Sequence, residues 1–181
     1  LVFDKVRKEC AEELVTLKHE LVKPKTPFPR ITYDEALKML DDAGVKVPWG
    51  EDLPTPADRK LGELIADAYF IVDWPMKIKP FYIMPKEDDP NLSYAFDLMY
   101  KDLELASGGT RIHQEELLIK QLKQKGLNPE HFESHLKNFR LGLPPHGGWG
   151  LGLDRLMMVL AGLENIREAV LFPRDRRRLV P

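Results

Sequence analysis

At 181 residues, 43% of them hydrophobic, the chain is long enough to bury one sizeable core and short enough to be a single domain. A formal charge of -2 excludes a uniformly basic nucleic-acid binder, although it leaves room for local basic patches. The lone cysteine, Cys10, excludes an internal disulfide and points to a reducing, cytoplasmic setting, and no apolar run nears the roughly 20 residues that cross a bilayer.

Val2, Val6, Cys10, Leu14, Leu17 and Leu21 recur at spacings of three and four, which predicts one amphipathic helix ended by Pro24 and Pro27. Thr32-Tyr33-Asp34-Glu35 has the form of a capping box. It opens a short helix with Ala36, Leu37 and Leu40 inward and Gly44 as its stop. After a loop at Trp49–Pro54, Thr55-Pro56 predicts an N-cap and first turn, with Leu61, Leu64, Ile65 and Ala68 as the buried stripe. Tyr69–Val72 and Phe81–Met84 are short apolar runs bounded by prolines, hence strands. Ser93–Leu105 alternates over its length, with Lys101-Asp102 as the bend between two antiparallel strands. Helices are expected at Gln114–Lys125, after Asn128-Pro129 (Phe132, Leu136 and Phe139 inward) and at Asp154–Ala161. Gly147–Leu153 is a glycine-rich strand, Ala169–Phe172 a last strand and Arg174–Arg178 a basic tail able to meet RNA phosphates. Helices set among mostly antiparallel strands define an α+β fold. Beginning on Leu1 rather than methionine, the chain is expected to be a piece of a longer protein.

Two clusters can carry chemistry. In Glu104-x-x-Ser107-Gly108-Gly109-x-Arg111, a carboxylate and a hydroxyl offer hard oxygen ligands suited to Mg²⁺, and Arg111 offers a planar fork for a carboxylate. A strand end, a glycine turn and a surface arginine would give the same letters. In His146-Gly147-Gly148-Trp149-Gly150-Leu151-Gly152-Leu153-Asp154-Arg155, four glycines in six positions weaken a strand unless a flat ligand lies on its backbone. Arg155 in the first turn of a helix opposes the macrodipole, so an anion such as a triphosphate is expected nearby; the plain alternative is a salt bridge to Asp154 or Glu168. Gly-Leu-Gly is not a dinucleotide fingerprint, because Leu156 replaces the third glycine. No G-x-S-x-G elbow is present, and the pair His131 and His135 resembles a solvated helix face more than a metal site. Asp97 lies on the polar side of the long strand, as a pocket wall or an exposed acid.

Taken together, Gly150–Leu156 resembles the third signature of the class II aminoacyl-tRNA synthetases. Phe28–Tyr33, Trp49–Leu53, Pro80–Pro85, Ser107–His113, Pro144–Arg155 and Asn165–Asp175 resemble the archaeal and eukaryotic-type aspartyl enzymes in order and spacing. The resemblance implies a class II antiparallel sheet flanked by helices and incomplete on its N-terminal side. Residues 1–181 would then be a partial catalytic domain, without the anticodon-binding barrel and the first two signatures. It further implies ATP and Mg²⁺ as substrate and cofactor, with aspartate and tRNA as partners and a homodimer for the full-length protein. Glu104 and Arg155 would be catalytic, and Glu104, Gly152, Leu153, Asp154 and Arg155 would bind ATP. Ser107 and Arg111 would hold aspartate, Glu104 and Ser107 the metal, and His146 and Asp97 would line the amino-acid pocket. An asparaginyl enzyme, an aspartyl enzyme that also charges the asparagine tRNA, and an amide-forming or purely binding paralogue remain alternatives. The 181 residues alone are expected not to activate aspartate.

Overall fold

The structure, a computed structural model, describes residues 1–180. Two short helices open the chain, α1 (Val2–Glu9) and α2 (Ala11–Thr16), followed by β1 (Arg30–Thr32) and α3 (Tyr33–Asp42). Next come α4 (Thr55–Ile65), β2 (Ala68–Val72) and a hairpin of β3 (Ala95–Tyr100) and β4 (Leu103–Arg111). After α5 (Glu115–Gln124), a 3-10 turn at Pro129–Phe132 leads into α6 (Glu133–Arg140), and β5 (His146–Leu151) and α7 (Leu153–Ala161) follow. The strands form one sheet in the order β1-β2-β3-β4-β5, antiparallel except for the parallel pair β1–β2. The expected α+β architecture is therefore present, with a mixed rather than wholly antiparallel sheet.

The expected capping box forms in full. The Thr32 hydroxyl accepts from the Glu35 backbone N–H at 3.1 Å, while the Glu35 carboxylate accepts from the Thr32 backbone N–H at 2.7 Å. It aims α3 so that Tyr33, Ala36 and Leu40 meet Ala57 and Leu61 of α4 over Ile71, Ala95 and Met99 of the sheet. The α4 stripe runs one step earlier than predicted: Ala57, Leu61 and Gly62 are buried, Leu64 is exposed and Ala68 belongs to β2. Gly62 is required there, since a Cβ would sit 2.6 Å from the Asp102 backbone nitrogen, so α4 rests directly on the β3–β4 turn. A second cluster, Ile112, Leu118, Leu122, Leu136 and Phe139, joins α5 and α6 to the end of β4.

Three expectations fail locally. The opening helix breaks at Cys10 (φ -122, ψ 35), ends at Thr16 before either proline, and buries none of its own residues; only Leu21 beyond it reaches the core. Val6, Cys10 and Leu14 of its stripe are only half-buried and Phe3 lies 6.3 Å from the Tyr100 ring, too little burial for periodicity to hold one long helix together. Phe81–Met84 contributes a single bridge, Ile83 to Arg111, rather than a strand. Ala169–Phe172 finds no strand partner; Ile166–Ala169 is a 3-10 turn, and Leu171 and Phe172 are exposed.

Candidate functional site

The site is built on one face of β4. In the hairpin Asp97 lies opposite Ser107, and Met99 lies opposite Glu104, because the register shifts between Leu98 and Met99 and leaves Leu105 without a counterpart. Cross-strand partners share a face, and so do alternate residues of one strand. Asp97 and Met99 share one, so the shift brings Glu104 round to the side of Ser107, although the two are three residues apart. Arg111 stands on the same side, four pairs along from Ser107. Glu104, Ser107, Arg111 and Asp97 thus form one row.

On the other flank, β5 sets Gly150 opposite Ser107 and Gly148 opposite Gly109. A Cβ at Gly150 would meet nothing within 4 Å, so the backbone beside Ser107 is an open shelf. At Gly148 a Cβ would come within 3.5 Å of the Arg111 guanidinium. Arg111 lies over the Tyr82 ring, its guanidinium carbon 4.4 Å from the centroid, a cation–π contact that helps to position a fork able to bond a carboxylate.

At the other end of the row, Arg155 reaches back from the first turn of α7. Its Nη1 donates to the Glu104 backbone carbonyl at 2.8 Å and lies 3.4 Å from Glu104 Oε1. The ion-pair alternatives for Arg155, Asp154 and Glu168, are therefore replaced by Glu104, 51 positions upstream. Both side chains remain nearly half exposed, which leaves them accessible to a ligand. Burial, and then the negative charge of Asp97, raises the Glu104 carboxyl above its ordinary value, against the pull of Arg155 and Lys79. Gly152 caps α7, with Leu153 and Asp154 in its first turn beside Arg155.

Asp97 corrects the sequence expectation. It faces the core side of β3 rather than a polar side, is only 4% exposed, and pairs with Lys79, whose Nζ is 2.8 Å from Oδ2. Lys79 Nζ also lies 4.0 Å from the centre of the Trp74 ring. The other carboxylate oxygen, Oδ1, is buried without a hydrogen-bond partner. His146 is exposed at the start of β5, where its Nδ1 is 3.0 Å from the Pro144 carbonyl oxygen. A carbonyl only accepts, so the neutral ring carries its proton on Nδ1 and offers a lone pair at Nε2. His113 stands apart, lining a separate pocket with Trp49 and Lys120. His131 is exposed and His135 packs on Phe139. The basic tail is folded locally: the Asp175 carboxylate accepts from the Arg177 and Arg178 backbone N–H groups and pairs with Arg167 at 3.0 Å.

Two residues of this region were missed. Lys79 lies in a loop, and no spacing links it to Asp97. Asp58 carried a usable signal, an acid on the inward side of α4 next to Ala57 and Leu61. Burial, reinforced by the charges of Asp52, Glu104, Asp102 and Asp97, raises the Asp58 pKa from 3.8 to about 7. An acid whose folded-state pKa is raised holds its proton after the unfolded chain has lost it. It therefore removes stability as pH rises from about 4 to about 7, and the loss is constant above that. Asp58→Asn is expected to match the parent at pH 4 and to be the more stable protein at pH 8, as read by denaturant unfolding at both pH values.

A row of two carboxylates, a hydroxyl and an arginine beside a bare glycine shelf, closed by a second arginine, suits a ligand with phosphates at one end and a carboxylate at the other. The model of the family described as tRNA synthetases class II (D, K and N) matches residues 1–176, and the chain belongs to that family. Among its relatives, the aspartate–tRNA(Asp/Asn) ligase of Methanothermobacter thermautotrophicus is 56% identical over 180 residues, 99% of this chain and 41% of that protein. Two solved structures superpose with TM-scores of 0.93: the aspartyl-tRNA synthetase of Entamoeba histolytica at 40% identity and the asparaginyl-tRNA synthetase of Pyrococcus horikoshii at 33%. Each is matched over 99% of this chain, which covers 39% and 44% of them respectively. The chain thus spans about two fifths of the length of the relatives it matches.

Proposed function

We propose that the chain carries the amino-acid side and part of the nucleotide side of an aspartate–tRNA ligase site, as a partial catalytic unit of the protein to which it belongs. The observation that carries this reading is the row Glu104–Ser107–Arg111 on one face of β4, with Arg155 anchored to Glu104 at one end and Arg111 free to bond a carboxylate at the other.

In this reading Arg111 receives the side-chain carboxylate of aspartate in a two-point pair, and Ser107 with the Gly150 shelf lies beneath the α-carboxylate. Gly152, Leu153, Asp154 and Arg155 border the ATP, with Arg155 toward its terminal phosphates. Glu104 and Ser107 would hold the magnesium. The fit rests on a hard oxygen donor set and on Asp97 Oδ1, a buried carboxylate oxygen without a hydrogen-bond partner on the same face. A magnesium ion there offsets the charge that builds up on the phosphates. The aspartate α-carboxylate oxygen attacks the α-phosphorus of ATP and pyrophosphate leaves. A terminal ribose hydroxyl of tRNA then attacks the acyl carbon and releases AMP. Positioning and charge stabilisation carry both steps, since the row contains no activated nucleophile. Cytoplasmic location and a homodimeric assembly follow from the same reading.

Aspartate is favoured over asparagine because 56% identity ties the chain to an aspartate ligase, against 33% to the asparaginyl enzyme. The name of that ligase also keeps a dual tRNA specificity in view. Charging assays with purified tRNAs test the proposal: radiolabelled aspartate is expected to accumulate on the aspartate tRNA, and transfer of asparagine instead would overturn it.

A further inference from the structure

The loop between β2 and β3 and the helix α5 enclose a cavity of about 640 Å³, within the ordinary size range of ligand pockets. It shares no lining residue with the row Glu104–Ser107–Arg111 or with the Gly150 shelf. Its frame is pinned from both sides. The Lys125 ammonium, at the end of α5, donates to the Met76 and Lys77 carbonyls at 3.1 and 2.7 Å, and the Met76 backbone N–H donates to the Asn91 carbonyl at 2.7 Å. Opposite them, the Trp49 indole N–H donates to an Asp34 carboxylate oxygen at 2.9 Å, which fixes the ring in the cavity wall.

The lining combines three kinds of group. Trp49, Met76, Met84 and Leu117 make it apolar, and the two thioethers adapt readily to a flat ring. Asn91, Gln114, Gln121 and Gln124 bring amides. Lys77, Lys86 and Lys120 bring positive charge against the one carboxylate of Glu87. Lys86 is already paired with Asp73 at 3.0 Å, whereas Lys77 and Lys120 are exposed and have no acidic partner among the described residues.

Gln121 is only 7% exposed, yet its side-chain amide has no hydrogen-bond partner among the described residues. Next to it on the same lining, His113 Nδ1 is enclosed and likewise unpartnered. Buried polar groups left unpaired destabilise a fold, so two of them on one cavity wall mark a place where a ligand satisfies them. A glutamine amide is donor and acceptor at once, and it bonds the N6 and N7 edge of adenine at two points. The indole and thioethers suit the base, and the two exposed lysines suit a phosphate.

We propose that this cavity is a second nucleotide site, which takes an adenine nucleotide with its base against Gln121 and Trp49 and its phosphate toward Lys77 and Lys120. It is separate from the site on β4 and does not depend on the synthetase reading above.

The test uses the complete protein that contains this chain, with 8-azido-AMP as a photolabel and mass spectrometry to identify the labelled peptides. Saturable labelling within 76–91 or 113–124 is expected, displaced by AMP and far less by adenosine or inorganic phosphate. Gln121→Leu keeps the side-chain volume and is expected to weaken that labelling roughly fivefold to a hundredfold, the loss of one two-point amide–adenine pair. Lys77→Ala combined with Lys120→Ala removes two exposed side chains and is expected to weaken it roughly tenfold at low salt and less at high salt. Aspartate-dependent ATP–pyrophosphate exchange is expected to stay within about twofold of the parent in every variant. Labelling confined to other segments, labelling that both variants leave unchanged, displacement by inorganic phosphate as strong as by AMP, or exchange lost in proportion to labelling each overturns the proposal. A parent without exchange whose α5 is still labelled would overturn the synthetase reading and leave this site standing.

Discussion

Arg111→Leu is expected to lower kcat/KM for aspartate in ATP–pyrophosphate exchange by roughly 30- to 5,000-fold, with the KM for ATP little changed. The magnitude follows from truncating one partner of a hydrogen-bonded charge pair, which costs about 2–5 kcal/mol because the other charge is left unpaired. Arg111→Lys is expected to restore little. The guanidinium carbon stands over the Tyr82 ring, 4.4 Å from its centroid, and its planar fork carries two parallel N–H groups, a geometry that a flexible ammonium does not reproduce. Arg111 is the last residue of β4 and only partly buried, so its loss leaves both hydrophobic clusters in place. An unchanged melting temperature therefore checks that the loss is one of recognition. Equal losses for ATP and aspartate would show that Arg111 does not read the amino acid.

Glu104→Gln is expected to reduce the maximal exchange rate on the order of 10²–10³-fold and to raise the magnesium concentration that half-saturates it. The substitution is selective for a structural reason. Arg155 is held chiefly by the Glu104 backbone carbonyl at 2.8 Å, and the carboxylate stands farther away at 3.4 Å. Glutamine keeps the backbone contact and the side-chain volume but removes the negative charge. A rate loss without any change in the magnesium requirement would assign Glu104 to holding Arg155 rather than to the metal.

Local signals were legible where one short stretch of chain determines its own structure. The capping box at Thr32 and Glu35, the bend at Lys101-Asp102 and the αL stops at Gly44, Gly126 and Gly162 are of this kind. The segment Ala169–Phe172 has strand-forming composition, but a strand exists only where another edge accepts it. The opening helix shows the same dependence on partners, since its periodic stripe is only half-buried at Val6, Cys10 and Leu14 and is first fully covered at Leu21.

The candidate site was legible as a set of letters and not as an arrangement. Strict alternation along β4 would place Glu104 and Ser107 on opposite faces, and only the register shift at Leu98 and Met99 brings them together. Contacts such as Arg155 to Glu104 and Lys79 to Asp97 cross 51 and 18 positions and leave no periodic trace. The glycines divide in the same way. Gly150 leaves an open shelf, as a flat ligand requires, whereas Gly108 is demanded by Trp149, whose Cβ would lie 2.5 Å from an added side chain.

The central claim is that this face of β4 reads a carboxylate at Arg111 and phosphates at Glu104 and Arg155. ATP–pyrophosphate exchange by the protein containing this chain, with aspartate and asparagine compared side by side in the absence of tRNA, tests it most directly. Exchange driven by aspartate and only weakly by asparagine, and lost in both Arg111→Leu and Glu104→Gln, is the predicted result. Exchange that prefers asparagine, or that survives both substitutions, would contradict it.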